Sequence, residues 1–270
     1  MKLKSKFYIK IAADGSSASG KTTGAKLFSK KYGIKFLSSG LLYRYSSYLI
    51  IKDKPKNEYI FLKKKFKKFS LSYLKNKNLH TPEISELSSK IAKKKEIRNI
   101  LKNKPNNESV FIKKKFKNFK LSNLKNINLH TPEISELSSK IAKKREIRNI
   151  LKHFQKNFVK KNRKVCIEGR DIGTVIMPNA DIKFFFTCNL NTAAKRRFKD
   201  LKKRNPKIKF AEVKKAMRIR DNLDRSRRIS PLIKPQNAVI VPTDKLKNIK
   251  GMINKMSNVL ESVIKKKYGS

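Results

Sequence analysis

Apolar positions along the chain fall into short runs separated by longer stretches of three-to-four spacing. Residues 7–13 form an apolar-rich run that ends at Asp14 and is followed by a helix-like stretch to about residue 32. Further runs at 35–38, 164–168, 182–187 and 238–241 have the length and β-branched or aromatic content of buried strands. Helical patterns fill the gaps. Strands alternating with helices in this way predict an α/β fold, a parallel sheet covered on both faces with its ligand at the carboxyl ends of the strands.

One stretch interrupts that rhythm. Residues 51–100 and 101–150 are a tandem repeat, with about 39 of 50 positions identical and Thr81 to Lys94 recurring unchanged as Thr131 to Lys144. A solenoid needs three or more such units, so two near-identical copies read as an in-frame duplication. Each copy carries a strand-like piece (59–62 and 110–112), a basic run with phenylalanine at intervals, and an amphipathic helix. The basic runs, such as 63–67, read as strands with Phe inward and Lys outward. Thr81 or Thr131 suits the helix N-cap, and Pro82 or Pro132 the first turn. In the second copy Ile134, Leu137, Ile141, Ile147, Leu151, Phe154 and Phe158 keep helical spacing, so one helix is expected to run on toward the strand at Val165. Pro105 ends the corresponding helix of the first copy near Asn103.

The chemistry begins directly after the first strand. Gly15, Ser16, Ser17, Ala18, Ser19, Gly20, Lys21 and Thr22 read G-x-x-x-x-G-K-[ST], with Thr23 next and a helix following. Glycine and small residues let successive backbone N–H groups curl around phosphate oxygens, the helix offers its positive end, Lys21 adds a charge and Thr22 is placed to hold Mg²⁺. This combination binds a nucleoside triphosphate, and it makes the predicted fold a P-loop NTPase core.

Composition changes that picture little. A chain of 270 residues with 38% hydrophobic content buries a full core, and 70 Lys+Arg against 19 Asp+Glu give a net charge of +51. The excess is mostly lysine spread through every segment, so it reads as compositional bias, and no dedicated nucleic-acid partner is expected. Cys166 and Cys188 lack metal or redox spacing and read as reduced core thiols. His80, His130 and His153 stand outside any catalytic or metal pattern. No stretch approaches the roughly 20 apolar residues of a membrane span, and no leader pattern is present, so a cytoplasmic monomer is expected.

Arginine is the more selective signal in a lysine-biased chain, because its planar fork makes two parallel hydrogen bonds to phosphate and stays charged when desolvated. It stands at Arg44 after the second strand, at Arg170 in Gly169-Arg170-Asp171-Ile172-Gly173-Thr174 after the third, and in a late cluster of Arg218, Arg220, Arg225, Arg227 and Arg228 around Asp224. Together with the loop, these groups point to phosphoryl transfer.

The chain resembles the bacterial cytidylate kinases of the nucleoside monophosphate kinase group. The likeness runs through Asp14-Gly15 and the loop, Ser39-Gly40 with Tyr43-Arg44, residues 169–175 with Pro178, and Arg220-Asp221 with residues 224–227 and 230–232. It implies transfer of the γ-phosphoryl group of Mg·ATP to CMP or dCMP. By resemblance, Arg44, Arg170 and Arg227 hold the acceptor phosphate with Ser39 and Tyr43 nearby, Arg220 and Asp224 address the ribose, and Ser139, Arg148 and Asp171 read cytosine. Lys21, Arg170, Arg220 and Arg227 are the candidate catalytic groups, Gly15 to Thr23 the ATP-binding segment, and Mg²⁺ the cofactor. The expected organisation is a kinase core from 1–50 and 151–270, an Arg-rich lid in about 195–228, and a monophosphate-binding insert within 51–150. A kinase for another small acceptor and a basic nucleic-acid-binding protein with a nucleotide loop are the competing readings.

Two departures stand out. The position before Ser39 is commonly Asp in the family and is Ser38 here, and the insert is duplicated, so Ser89 and Arg98 compete with Ser139 and Arg148 for the same roles. The core offers one entry after Arg44 and one exit toward Val165, so one copy is surplus. Lengthening a loop costs only about 0.6 kcal/mol per doubling. Deleting residues 51–100 is therefore expected to leave a folded kinase at least as stable as the parent; loss of folding or of CMP phosphorylation in that deletion would show that both copies are required.

Overall fold

The computed structural model describes residues 3, 6–55, 57–61, 132–142, 144–203, 205–246 and 248–269. Among them, the α-helices and strands in chain order are β1 (Ile9–Gly15), α1 (Lys21–Tyr32), β2 (Lys35–Ser38), α2 (Ser39–Asp53), α3 (Pro132–Ile141), α4 (Arg145–Lys161), β3 (Lys164–Gly169), β4 (Ile182–Thr187), α5 (Leu190–Lys202), α6 (Phe210–Ser226), β5 (Val239–Pro242) and α7 (Ile249–Tyr268), with a short π-helical turn at Ile172–Ile176 between β3 and β4. The five strands form one sheet in the order β2-β3-β1-β4-β5, every pairing parallel. All five predicted strands of the core are present.

β1 sits in the centre of the sheet and is buried on both faces, as its near-continuous apolar sequence dictates. The chain places β2 and β3 on one side of it and β4 and β5 on the other, so the order switches beside β1. Such a switch leaves a crevice at the carboxyl ends of the strands. Those ends are Gly15, Ser38 and Gly169, which is where the phosphate loop, Ser39 and Arg170 follow.

One face of the sheet packs on α1 and α7. Phe28 and Tyr32 of α1, Phe184 and Phe186 of β4, and Met252, Met256 and Leu260 of α7 are buried in a single apolar cluster. The Phe28 and Phe184 rings meet edge-on with centroids 6.0 Å apart. α5 and α6 pair through a smaller cluster of Ala193, Ala194, Val213 and Met217, with Phe198 and Phe210 edge-to-face beside it.

Two compact units are present: Met1–Ser39 with Lys156–Ser270, and Gly40–Gln155. In the second unit Ile134 of α3 and Ile147 and Leu151 of α4 are buried, and Ser47 of α2 lies 3.1 Å from Ser138 of α3, hydroxyl to hydroxyl.

Three expectations require correction. Tyr59 to Phe61 is helical where a strand was expected, because Asn57 caps the turn: its side-chain oxygen accepts from Ile60 N at 3.1 Å. The single helix expected from the second copy into the core is two helices, broken after Ile141. The break is stabilised by Arg148, whose Nη1 donates to Ala142 O at 2.9 Å and so satisfies a carbonyl that the interrupted helix leaves over. Cys166 is buried in β3, but Cys188 lies just beyond β4 and is half-buried, so it is not a core thiol. The strand-like piece at 110–112, the basic run at 63–67, the helix expected between Thr81 and Asn103, Thr131, Ser89, Arg98, His80 and His130 lie outside the described residues.

Candidate active site

The loop after β1 is shaped by close approach. Gly15 has φ +155°, and a Cβ there would stand 2.3 Å from the Phe186 carbonyl oxygen of the neighbouring strand. Gly20, at φ +77°, is the N-cap of α1 and offers no side chain to cap the helix. The first turn of α1 also lacks an acidic residue. Its N–H groups thus present an uncapped positive end, the arrangement that binds phosphate. Thr22 and Thr23 are exposed on that turn, while Lys21 is buried. From the far side Thr243, just past β5, donates to Ser19 O at 2.9 Å, and Arg196 of α5 holds Thr243 through its hydroxyl at 3.0 Å and its carbonyl at 2.9 Å.

Arg170 ties this loop to the rest of the site. Its Nη1 donates to Gly15 O, its Nη2 donates to Ser17 Oγ at 2.8 Å, and its Nε donates to Asp224 Oδ2 at 2.7 Å. Asp224 also accepts from Arg227 Nη1 at 3.2 Å, and Arg227 Nη2 stands 4.0 Å from Asp171 Oδ1. The structure therefore brings the loop, Arg170, Asp171, Arg220, Asp224 and Arg227 into one network within a single compact unit. Burial alone would raise the Asp224 carboxyl, but the guanidiniums of Arg170, Arg220 and Arg227 outweigh it and hold that group below the ordinary carboxylate range. Arg220 is different. Its Nε is buried without a hydrogen-bond partner among the described residues, and burial followed by the Arg170 charge lowers its pKa to about 10.

Several groups that complete the site have no role in the motif reading. Asp14, the last side chain of β1 before the loop, is fully buried and accepts from Ile172 N at 2.8 Å and Gly173 N at 2.7 Å. It fixes the backbone that carries Arg170 and Asp171, and burial pushes its carboxyl up to about 7 against those two hydrogen bonds. Glu168, at the end of β3, accepts from Ser38 Oγ and places its other oxygen 4.0 Å from Lys21 Nζ. Position 38 lacks the family's usual carboxylate, yet its hydroxyl orients one that β3 supplies directly opposite in register. Asp221 accepts from Ser17 N at 2.9 Å. The only signal for these residues was position, each standing at a strand end or one residue from a motif arginine.

The remaining predicted residues lie in the other compact unit. Tyr43 and Arg44 are on α2, Ser139 on α3 and Arg148 on α4, where the Arg148 guanidinium sits over the Tyr43 ring at 5.9 Å. Ser39 opens α2 beside Gly169, where a Cβ on the glycine would meet the Ser39 Cβ at 3.2 Å.

Comparison with known sequences decides the family. The family model described as Cytidylate kinase matches residues 11–115 and 106–262. The chain belongs to the cytidylate kinase family. Cytidylate kinase of Thermosipho melanesiensis is 32% identical over 265 residues, covering 95% of this chain and 98% of that protein. The Thermosipho africanus cytidylate kinase is 30% identical, with 95% of each chain covered, and that of Rickettsia rickettsii is 29% identical over 94% of this chain and 92% of its own. Similarity thus extends across both compact units of this cytidylate kinase family member. No described helix is long and apolar enough to cross a membrane.

Lys21 gives the site a measurable proton linkage. Burial first, then the Arg170 charge, lowers its ammonium to about 7, with Glu168 pulling the other way. With its pKa lowered in this way the free amine gives up its proton more readily as pH rises above about 7, and a triphosphate placed against it favours the charged form again. Binding of ATP at about pH 8 is expected to take up close to one proton, falling toward none below about pH 6, where Lys21 is already charged. Calorimetry in buffers of different ionisation enthalpy measures this uptake, and Lys21→Met is expected to abolish it. The same pH-independent proton count in parent and variant would contradict the linkage.

Proposed function

We propose that this protein transfers the γ-phosphoryl group of ATP to CMP or dCMP, giving ADP and CDP or dCDP. The observation that carries the reading is the convergence of Arg170 and Arg227 on Asp224 beside a glycine-shaped phosphate loop containing Lys21. Phosphoryl transfer asks little covalent chemistry of a protein. It needs in-line positioning and neutralisation of charge spread over the transferred group, which buried, preorganised guanidiniums supply.

In this reading Gly15 to Thr23 bind ATP, and Lys21 meets the phosphates. Arg44, Arg170 and Arg227 hold the acceptor phosphate with Ser39 and Tyr43, while Arg220 and Asp224 engage the ribose. The Nε of Arg220, without a hydrogen-bond partner among the described residues, supports a role in which a ligand completes its hydrogen bonding. Ser139, Arg148 and Asp171 read the base. A carboxylate accepts from the exocyclic amine of cytosine and is repelled by the carbonyl that uracil carries there. We place the kinase core in 1–50 and 151–270, the monophosphate-binding insert within 51–150 and the lid in about 195–228, in a monomer working in the cytoplasm.

Among the described residues no group of three or more carboxylate, histidine or cysteine side chains forms a metal cage. The donors at hand are hard oxygens, the exposed Thr22 hydroxyl at the start of α1 and the Glu168 carboxylate, and they suit a magnesium ion carried in on the nucleotide. Held beside Thr22, the ion would supply positive charge to offset what develops on the transferred group. Thr22 is the proposed ligand.

A coupled assay across the nucleoside monophosphates tests the reading. CMP and dCMP are expected to be phosphorylated at least tenfold more efficiently than UMP, AMP or GMP, since a misplaced carbonyl facing a buried carboxylate costs more than one decade. Equal turnover of UMP would overturn the cytosine assignment, and steeply salt-dependent nucleic-acid binding without turnover of any monophosphate would favour the nucleic-acid reading instead.

A further inference from the structure

Asp221 belongs to α6, yet its carboxylate is used on the phosphate loop. Oδ1 accepts from Ser17 N at 2.9 Å, and Ser17 is inside the loop whose N–H groups are built to face anions. The same oxygen stands 4.0 Å from Arg170 Nη2, which in turn donates to Ser17 Oγ at 2.8 Å. A carboxylate paired with a guanidinium on a loop amide is chemically what a bound phosphate oxygen would be. An N–H donates to one such acceptor at a time.

We propose that Asp221 is a phosphate surrogate of the loop, a residue that occupies the Ser17 N–H until a polyphosphate displaces it, and that it thereby sets the affinity of the donor site. Its position allows the exchange. Asp221 lines a cavity of about 190 Å³ together with Ser16, Arg218 and Arg225. Arg218 and Arg225 are three residues before and four after it on α6, the spacing at which helix side chains meet. A displaced Asp221 carboxylate therefore has cationic partners on its own helix within that cavity.

The inference rests on residues 15–22 being the triphosphate loop, and the test separates the two. Full-length protein is titrated with inorganic tripolyphosphate at about pH 8 in about 0.5 M salt, where long-range attraction is screened. Hydrogen exchange of the Ser17 amide is followed before ligand is added. Asp221→Ala is expected to exchange that amide at least about tenfold faster and to bind tripolyphosphate about tenfold more tightly, the worth of one charge-assisted hydrogen bond that no longer has to be broken. Asp221→Asn keeps an acceptor oxygen without the charge and is expected to fall between parent and Asp221→Ala on both measures; it carries the test if the alanine variant does not fold. Lys21→Ala is expected to lose tripolyphosphate binding. If Lys21→Ala binds as the parent does, the loop reading and the inference fall together. If Lys21→Ala loses binding while the Asp221 variants bind no more tightly than the parent, or leave Ser17 exchange unchanged, the loop reading stands and the surrogate role is overturned.

Discussion

A buried guanidinium is costly unless its nitrogens find acceptors and its charge is matched, and Arg170 has a bond from each nitrogen and a carboxylate beside it only because three separated segments come together. Gly15 and Ser17 come from the loop after β1, Asp224 from α6, and Arg170 itself from the end of β3. Burial works against its charge, and the carboxylates of Asp224 and then Asp221 overcome it, so the group is held more firmly protonated than an ordinary arginine. Removing Asp224 would leave the Arg170 charge buried without its closest carboxylate, and removing the Ser17 hydroxyl would leave a buried donor unsatisfied. The network is therefore a cooperative unit, and it fixes the register between the loop after β1 and the segment that carries Asp171.

The parallel sheet makes that unit possible. β1 and β3 are hydrogen-bonded neighbours, with Asp14 opposite Gly169, so the two segments that follow them emerge side by side. Asp14 then grips the backbone after Arg170 through Ile172 N and Gly173 N, while Glu168 reaches Lys21 from the same strand end. Gly173 has no room for a side chain: a Cβ would meet Pro235 Cγ at 2.8 Å. Positive and negative groups alternate from Lys21 through Glu168 and Arg170 to Asp224 and Arg227, so the site is rich in fixed charge without being a simple basic patch. The net charge of the whole chain, +51, is a poor guide to it.

The core was legible in the sequence because strand length, apolar content and turn chemistry agree there, from the β1 run into the glycine-rich loop and from Lys35 to Ser38. Long-range pairings were not. Nothing in the local pattern says that Ser38 will lie opposite Glu168, or that Asp221 will reach Ser17 across about 200 positions of chain. The helix break after Ile141 was missed for a related reason, since the apolar spacing continues through it while the buried Arg148 side chain satisfies the freed Ala142 carbonyl. At Tyr59 a β-favouring residue was read as strand, and a single capping asparagine decided otherwise. Role assignments for Tyr43, Arg44, Ser139 and Arg148 came from family resemblance, which the local spacing alone does not supply.

The central claim is that the fork of Arg170, rather than its charge, joins the loop after β1 to Asp224 of α6. Arg170→Lys keeps the charge and removes the three-way geometry, so measuring its kcat/KM for CMP with folding verified tests the claim most directly. The account predicts a fall of about a hundredfold or more, the scale of losing one preorganised charge-stabilising group. A folded Arg170→Lys protein within about threefold of the parent would contradict it.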